Sequence, residues 1–306
     1  MDAGNTPLAW AARSGHEEVV EILLGRDDVD PDKPNISDET PLCHAARNGH
    51  ERVVKMLLGR DDVDPGKLNN YGRTPLCYAA MNGHEGVVRV LLERDEVEPN
   101  KRGRHGITPL CGAALNGHVG VVEMLLGRSD VNPDLPGYLN QTPLCCAAWN
   151  GHEETVKMLL RLNDINPDKP NTHCFTALWC AAGNGHAGVV KILLGRSDVV
   201  PNQAGWFDQT PLCRAAQNGH EGVVKILLGR NDVNPNKAGC YGQTPLCRAT
   251  QNGHQGVVKM LLGRGDVDPN KLDNKGRTPL YYATERGHAG MIALLQPLES
   301  TTLSTA

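Results

Sequence analysis

A histidine recurs at His16, His50, His84, His118, His152, His186, His220, His254 and His288, one every 34 residues, and Cys43, Cys77, Cys111, Cys145, Cys213 and Cys247 keep the same step. Imidazoles and thiols in such numbers are raw material for a metal site or a nucleophilic centre. Their spacing supports neither. The chain has no C-x-x-C pair, and no carboxylate or cysteine keeps pace with the histidines at ligand spacing. Asp28, Asp30, Asp32 and Glu39 fit offsets 1, 3, 5 and 12 of a calcium loop, but the sixth position, which needs glycine, is Lys33, and Pro31 and Pro34 fix the backbone. Phosphate-binding, nucleophile-elbow, zinc-protease and dinucleotide motifs are absent. No cofactor, metal or catalytic residue is therefore assigned, and the histidines are expected to hydrogen-bond structurally at the start of a helix.

The elements that hold these residues repeat with them. Thr6, Thr40, Thr74, Thr108, Thr142, Thr176, Thr210, Thr244 and Thr278 stand 34 residues apart without insertion or deletion. A period of this length marks a stacked repeat array rather than a single-core globule. Counted from that threonine, proline follows at +1 in eight copies, the N-cap and first-turn pair that opens a short helix. Leucine at +2 and alanines at +5 and +6 face one side, and glycine at +9 ends the helix. A second helix follows, apolar at +13, +14, +16, +17 and +18, for instance Val223, Val224, Ile226, Leu227 and Leu228. That arc is too wide for a helix lying on one surface, so the helix has neighbours on both flanks. The link Gly-Arg-Asp-Asp-Val-Asp-Pro reads as a solvated acidic connection, and a hairpin tip precedes each threonine. Asp38, Gly72, Gly106, Asn140, Asp208, Gly242 and Gly276 suit a left-handed turn at position -2, whereas Cys174 predicts a locally altered hairpin.

Thr-Pro-Leu-Cys-x-Ala-Ala, Asn-Gly-His and Val-Val-Lys-x-Leu-Leu, nine times in phase, resemble the ankyrin repeat over essentially residues 1 to 296. The resemblance implies an all-α solenoid of helix-turn-helix units with short β-hairpin tips. Two departures stand out: cysteine replaces the usual histidine after the leucine in six copies, and the period is one residue longer than usual. The reading gives one array of nine repeats, 1–32, 33–66, 67–100, 101–134, 135–168, 169–202, 203–236, 237–270 and 271–296. Pro297 is expected to stop the last helix and leave 297–306 as a frayed tail. Repeat one keeps the interior apolar pattern on its outer side, as if the chain began inside something longer. The wording of the link resembles the repeat arrays of filamentous fungi, which implies the C-terminal region of a fungal NOD-like receptor.

Cysteines at one repeat position should lie roughly 8–10 Å apart, beyond disulfide reach. They read as small buried thiols of a reducing compartment. Cys146, Cys174, Cys180 and Cys240 fall outside that column and are candidates for exposure. The net charge of -4 is near balance for 306 residues, which argues against a dedicated nucleic-acid or membrane-surface protein. No apolar run spans a bilayer and no signal segment is evident, so a soluble, cytoplasmic chain, monomeric in isolation, is expected.

Packing is the same in every copy, so positions that change between copies are those packing leaves free. These are -4, -3, -1, +4 and +7, and the resemblance implies that they line the concave face formed by tips and first helices. All twelve aromatics fall in the tips or first helices, and exposed Trp, Tyr and Arg concentrate energy in interfaces. The candidate partner-binding residues are Trp10, His44, Tyr71, Tyr78, Arg104, His105, Tyr138, Leu139, Trp149, Phe175, Trp206, Phe207, Arg214, Tyr241 and Arg248. Trp179 and Tyr281, at the cysteine position, could instead fill space in the stack. The densest group, Tyr138, Leu139, Trp149, Phe175, Trp206 and Phe207 with Arg214 and Arg248 beside it, reads as an apolar anchor site with a basic flank. The function implied is non-catalytic recognition of a protein or peptide. Rivals are an inhibitory or regulatory subunit, a structural spacer, and a nucleic-acid binder whose basic lining Asp38, Glu39, Asp208 and Glu285 interrupt.

Overall fold

The computed structural model describes residues 4–103 and 106–303. Each repeat threonine caps a helix: Thr40 Oγ1 accepts from Cys43 N at 3.2 Å and Thr210 Oγ1 from Cys213 N at 3.1 Å. This satisfies one of the first-turn donors that no helix can satisfy itself. The first helices so opened are α1 (Pro7–Ser14), α3 (Pro41–Asn48), α5 (Pro75–Met81), α7 (Pro109–Asn116), α9 (Pro143–Asn150), α11 (Ala177–Gly183), α13 (Pro211–Asn218), α15 (Pro245–Gln251) and α17 (Pro279–Glu285). Glycine in the left-handed conformation turns the chain, and the repeat histidine starts α2 (Glu17–Leu24), α4 (Glu51–Leu57), α6 (Glu85–Leu92), α8 (Val119–Leu126), α10 (Glu153–Leu160), α12 (Ala187–Leu193), α14 (Glu221–Leu228), α16 (Gln255–Leu262) and α18 (Ala289–Leu303).

Two compact units result, Met1–Ala147 with Glu154–Ile165, and Ala148–Glu153 with Asn166–Ala306. In the first, α1, α3, α5 and α7 pack in sequence, as do α2, α4, α6 and α8; in the second, α11, α13, α15 and α17 form one row and α12, α14, α16 and α18 the other. The core of each is the +2 leucine, the alanines and the valines, as in Leu76, Ala79, Ala80, Val87 and Val88 or Leu212, Ala215, Ala216, Val223 and Val224, all fully or almost fully buried. Small alanines on the first helix let its neighbour approach closely.

Polar groups fix the register between neighbours. The histidine Nε2 donates to the +7 carbonyl of the preceding repeat: His84 to Arg47 O at 2.9 Å, His118 to Met81 O at 3.0 Å, His220 to Gly183 O at 2.9 Å, His254 to Gln217 O at 3.0 Å. A carbonyl only accepts, so Nε2 carries the proton. The +3 side chain donates to the tip of the following repeat, Cys77 Sγ to Ile107 O at 3.2 Å and Trp179 Nε1 to Gln209 O at 3.0 Å. The column cysteines are buried, and burial pushes the Cys43 thiol up to about 11. The link is more than a solvated run. Arg60 and Arg230 each clasp the aspartate two residues on and reach back to the last turn of the preceding second helix, Arg60 Nη1 to Leu24 O at 3.0 Å and Arg230 Nη1 to Leu194 O at 2.8 Å.

Three expectations need correction. No strand is present among the described residues; the tips are turns closed by a pair of backbone bonds, such as Asn35 N to Glu39 O and Asp38 N to Asn35 O, both 3.0 Å. A single bond, such as Asn274 N to Tyr241 O at 2.9 Å, joins neighbouring tips, which is too little for a ladder. The helix α18 also does not stop at Pro297 but runs to Leu303, with the Leu298 carbonyl held by Asn270 Nδ2 at 3.2 Å. Cys174, finally, takes the same left-handed turn as its counterparts, at φ 62°, because the tip's hydrogen bonds outweigh its intrinsic preference.

Gly219 tests the register. It sits at φ 76°, and a Cβ there would lie 2.6 Å from His254 Nδ1. Gly219→Ala should cost more than the roughly 1–2 kcal/mol of left-handed strain, and adding His254→Ala should bring the penalty down to that strain. Urea unfolding followed by circular dichroism on the four members of the cycle checks this.

Candidate functional site

The tips come in two chemistries. Where Asn35, Asn69, Asn171 or Asp273 stands five residues before the threonine, its Oδ1 accepts the backbone N–H groups two and four residues on, at 2.8–3.0 Å for Asn35 and 2.9 Å for Asn171. Where Gly137, Gly205 or Gly239 stands there, no side chain can do this, and the turn takes two successive left-handed residues. Those residues are Leu139 and Asn140, Phe207 and Asp208, and Tyr241 and Gly242, with Leu139, Phe207 and Tyr241 at φ 54°, 58° and 65°. Bulky side chains rarely adopt this conformation, and these three project into solvent.

In the first unit the structure places Trp10, Tyr71, Tyr138 and Leu139 on the surface, as expected, but buries His44 and Tyr78, each only 3% exposed. The helix wheel put position +4 outside the core. The stack covers it all the same, because the +7 side chain of one repeat lies over the +4 residue of the next. Arg47 Cζ sits 4.0 Å from the centre of the Tyr78 ring. Beneath it Glu39, itself buried, accepts from Tyr78 Oη at 2.7 Å and pairs with Arg47, while Asn69 Nδ2 donates to Tyr78 Oη at 2.7 Å. Burial opposes ionisation of Glu39, yet Tyr78 and Arg47 hold its carboxyl below the usual range; burial and Glu39 push the Tyr78 phenol up to about 12. His44 Nε2 lies 3.1 Å from Asn5 Oδ1. These residues are engaged with each other inside the stack. Nothing in the expectations anticipated the network, although Glu39 is the only carboxylate at position -1. The would-be calcium residues are likewise spent elsewhere, Asp28 on Arg26, Asp32 on Lys67 and Glu39 on Tyr78. Arg104 and His105 lie outside the described residues.

In the second unit a continuous aromatic group forms. Phe175 stacks on Trp179 at 3.9 Å between centroids, Trp206 lies 6.2 Å from Phe175, and Phe207 stacks on Trp206 at 5.0 Å. His173 adds to Trp206 at 5.0 Å. Trp179 is buried, filling the stack, whereas Trp206 and Phe207 are 50% and 52% exposed. Trp149, Tyr241 and Tyr281 are also exposed, and Arg214 and Arg248 are half-buried. Arg214 Cζ lies 5.1 Å above Trp179. At the end of this unit Asp273, buried, accepts from Tyr282 Oη at 2.6 Å, Arg277 Nε at 2.9 Å and two backbone N–H groups. Burial alone would raise its pKa, but these donors, led by Tyr282, hold it well below the usual carboxylate range. Of the cysteines outside the column, Cys174 is exposed, Cys240 partly so, and Cys146 and Cys180 are buried.

This arrangement combines exposed hydrophobic anchors with half-buried cations. Comparison with family models matches ankyrin repeats over 27–103, 96–171, 165–239 and 224–302, with a single ankyrin repeat over 3–36. The chain belongs to the ankyrin repeat family, whose members are generally non-catalytic protein–protein interaction modules. A search of curated proteins returns no match. No helix among the described residues is long and apolar enough to cross a membrane.

Two predictions follow from the tips. Phe207→Asn replaces a strained residue by one that tolerates positive φ and should raise stability by about 1 kcal/mol, read as a higher thermal midpoint. Asp273→Asn keeps the Oδ1 acceptor that Asn35 and Asn171 show to be sufficient for the turn, but removes the charge. The folded carboxyl is depressed, so its stabilisation is complete above the ordinary value of 3.8 and fades as pH falls below it. The variant should be less stable by about 1–3 kcal/mol at pH 7, and the gap in urea midpoint should close towards pH 2.

Proposed function

We propose that this chain is a non-catalytic recognition module that binds a protein or peptide through its tips and first helices, the side that the ankyrin family makes concave. The observation that carries the reading is backbone strain. Leu139, Phe207 and Tyr241 hold left-handed backbone while their side chains stay exposed, at a cost of roughly 1–2 kcal/mol each. Exposed Trp10, Tyr71, Trp149 and Trp206 extend the same surface chemistry over one array of nine repeats. Charge argues against nucleic acid, because Arg47 is matched by Glu39 and Arg277 by Asp273. The narrower reading is the recognition region of a fungal NOD-like receptor. It draws only on the wording of the links between repeats, such as Gly-Arg-Asp-Asp-Val-Asp-Pro.

The test is selection from a displayed peptide library on the intact chain, repeated with Trp149, Trp206 and Phe207 all changed to alanine and retained helix confirmed by circular dichroism. Peptides enriched on the parent should lose at least tenfold in affinity on the variant. Equal affinity for both would remove this surface from the function.

A further inference from the structure

Two half-buried arginines in the second unit lack the carboxylate partner that many other arginines of the chain have. Arginine is matched by a carboxylate at Arg26–Asp28, Arg60–Asp62, Arg128–Asp130, Arg230–Asp232 and Arg264–Asp266 on the links, and at Arg47–Glu39 and Arg277–Asp273 near the first helices. Arg214 and Arg248 occupy position +4 of successive repeats, on the adjacent helices α13 and α15. Both are half-buried, neither has an ion pair among the described residues, and the Nε of each is buried without a hydrogen-bond partner. Burial lowers the pKa of Arg214; Cys213 opposes this and the charge of Arg248 adds to it.

The sequence around them is arranged to keep it so. In the first unit Glu39 at -1, Arg47 at +7 and Tyr78 at +4 of the next repeat form a balanced set. The corresponding residues in the second unit are Gln209, Gln217 and Arg248. Gln209 Nε2 donates to Gln217 Oε1 at 2.8 Å, so the same scaffold is built with neutral amides and the cation is left unmatched. Gly183, at the +7 position before Arg214, leaves room for the arginine stem: a Cβ there would lie 3.0 Å from Arg214 Cγ. A half-buried cation without a counter-charge is costly, and two at neighbouring positions more so.

We propose that Arg214 and Arg248 form a receptor for the carboxylate side chains of an acidic peptide segment whose apolar residues pack on Trp206 and Phe207. The guanidiniums offer planar donors suited to carboxylates. Arg214 lies over the buried Trp179, which stacks on Phe175, and Phe175 in turn neighbours Trp206, on which Phe207 stacks, so the Arg214 cation and the apolar anchors belong to one contiguous group of side chains. The proposal rests on the recognition reading above and adds the sign of the partner's charge.

The experiment uses two pools of fluorescein-labelled random decapeptides, one containing Asp, Glu and apolar residues, the other with Asn and Gln replacing the acids. Binding to the full chain is read by fluorescence polarisation at about 50 and 300 mM salt. The acidic pool should bind at least tenfold more tightly than the amide pool, weaken at the higher salt, and lose at least tenfold on R214Q/R248Q. R214K/R248K should recover part of that loss, which separates lost charge from lost packing, and thermal midpoints verify that both variants fold. Equal binding of the two pools to the parent, or undiminished acidic binding by R214Q/R248Q, overturns the proposal and leaves recognition standing. Binding of neither pool to the parent overturns the recognition reading, and the proposal with it.

Discussion

Within each unit everything depends on the hydrogen bond from the repeat histidine to a carbonyl one repeat back, as in His220 to Gly183 O and His84 to Arg47 O. Hydrophobic contact between neighbouring helix pairs is non-directional and would tolerate a slide of one helical position. A proton donor set at one point does not, because a slipped register leaves a carbonyl and an imidazole unpaired. At Gly15, Gly49, Gly83, Gly151, Gly185 and Gly219 the left-handed glycine lets the rings approach so closely that a side chain there would overlap the next imidazole. Arg60 and Arg230 repeat the device at the other end of the second helix, each gripping a carbonyl one repeat back.

That register decides which positions are open to a partner. Because the +7 side chain of one repeat overlies the +4 residue of the next, +4 is a seam, closed over Tyr78 and only half-closed over Arg214 and Arg248. Arg47 covers Tyr78, and Gly183 uncovers the space that Arg214 fills. The tips carry most of the strongly exposed large hydrophobic side chains, and there the sequence departs furthest from what backbone preference alone would select. Phe207 could be asparagine at less cost. Its retention in a strained turn, stacked on an exposed tryptophan, is understandable when the ring's surface is itself what the position supplies.

The repeats, caps and helix pairs were legible in the sequence because they follow from local rules: a threonine before proline, a glycine at the helix end, a two-sided apolar arc. The fate of position +4 was not. An isolated helix wheel shows Tyr78 and His44 facing away from the alanines, and only the offset between repeats reveals what lies over them. Trp179 was ambiguous for the same reason. It replaces a cysteine whose thiol donates to a tip carbonyl, and its indole N–H makes the same bond to Gln209 O, an equivalence visible only across two repeats. The helix beyond Pro297 was missed because a local breaker was weighed without the Asn270 amide that holds the Leu298 carbonyl.

Charge shows how one scaffold is turned to different ends. Glu39 and Asp273 each sit buried among a tyrosine and an arginine, and each is held ionised by donors that outweigh its burial. Such closed sets rigidify without offering anything to solvent. Replacing Glu39 by Gln209 and Gln243 at the equivalent positions removes the carboxylate while leaving hydrogen bonds to Gln217 and Tyr282 in place. The amide keeps the tip in position, and Arg214 and Arg248 keep their charge. A repeat protein can thus change what a surface attracts by one atom per repeat, nitrogen for oxygen, without altering the stack beneath it.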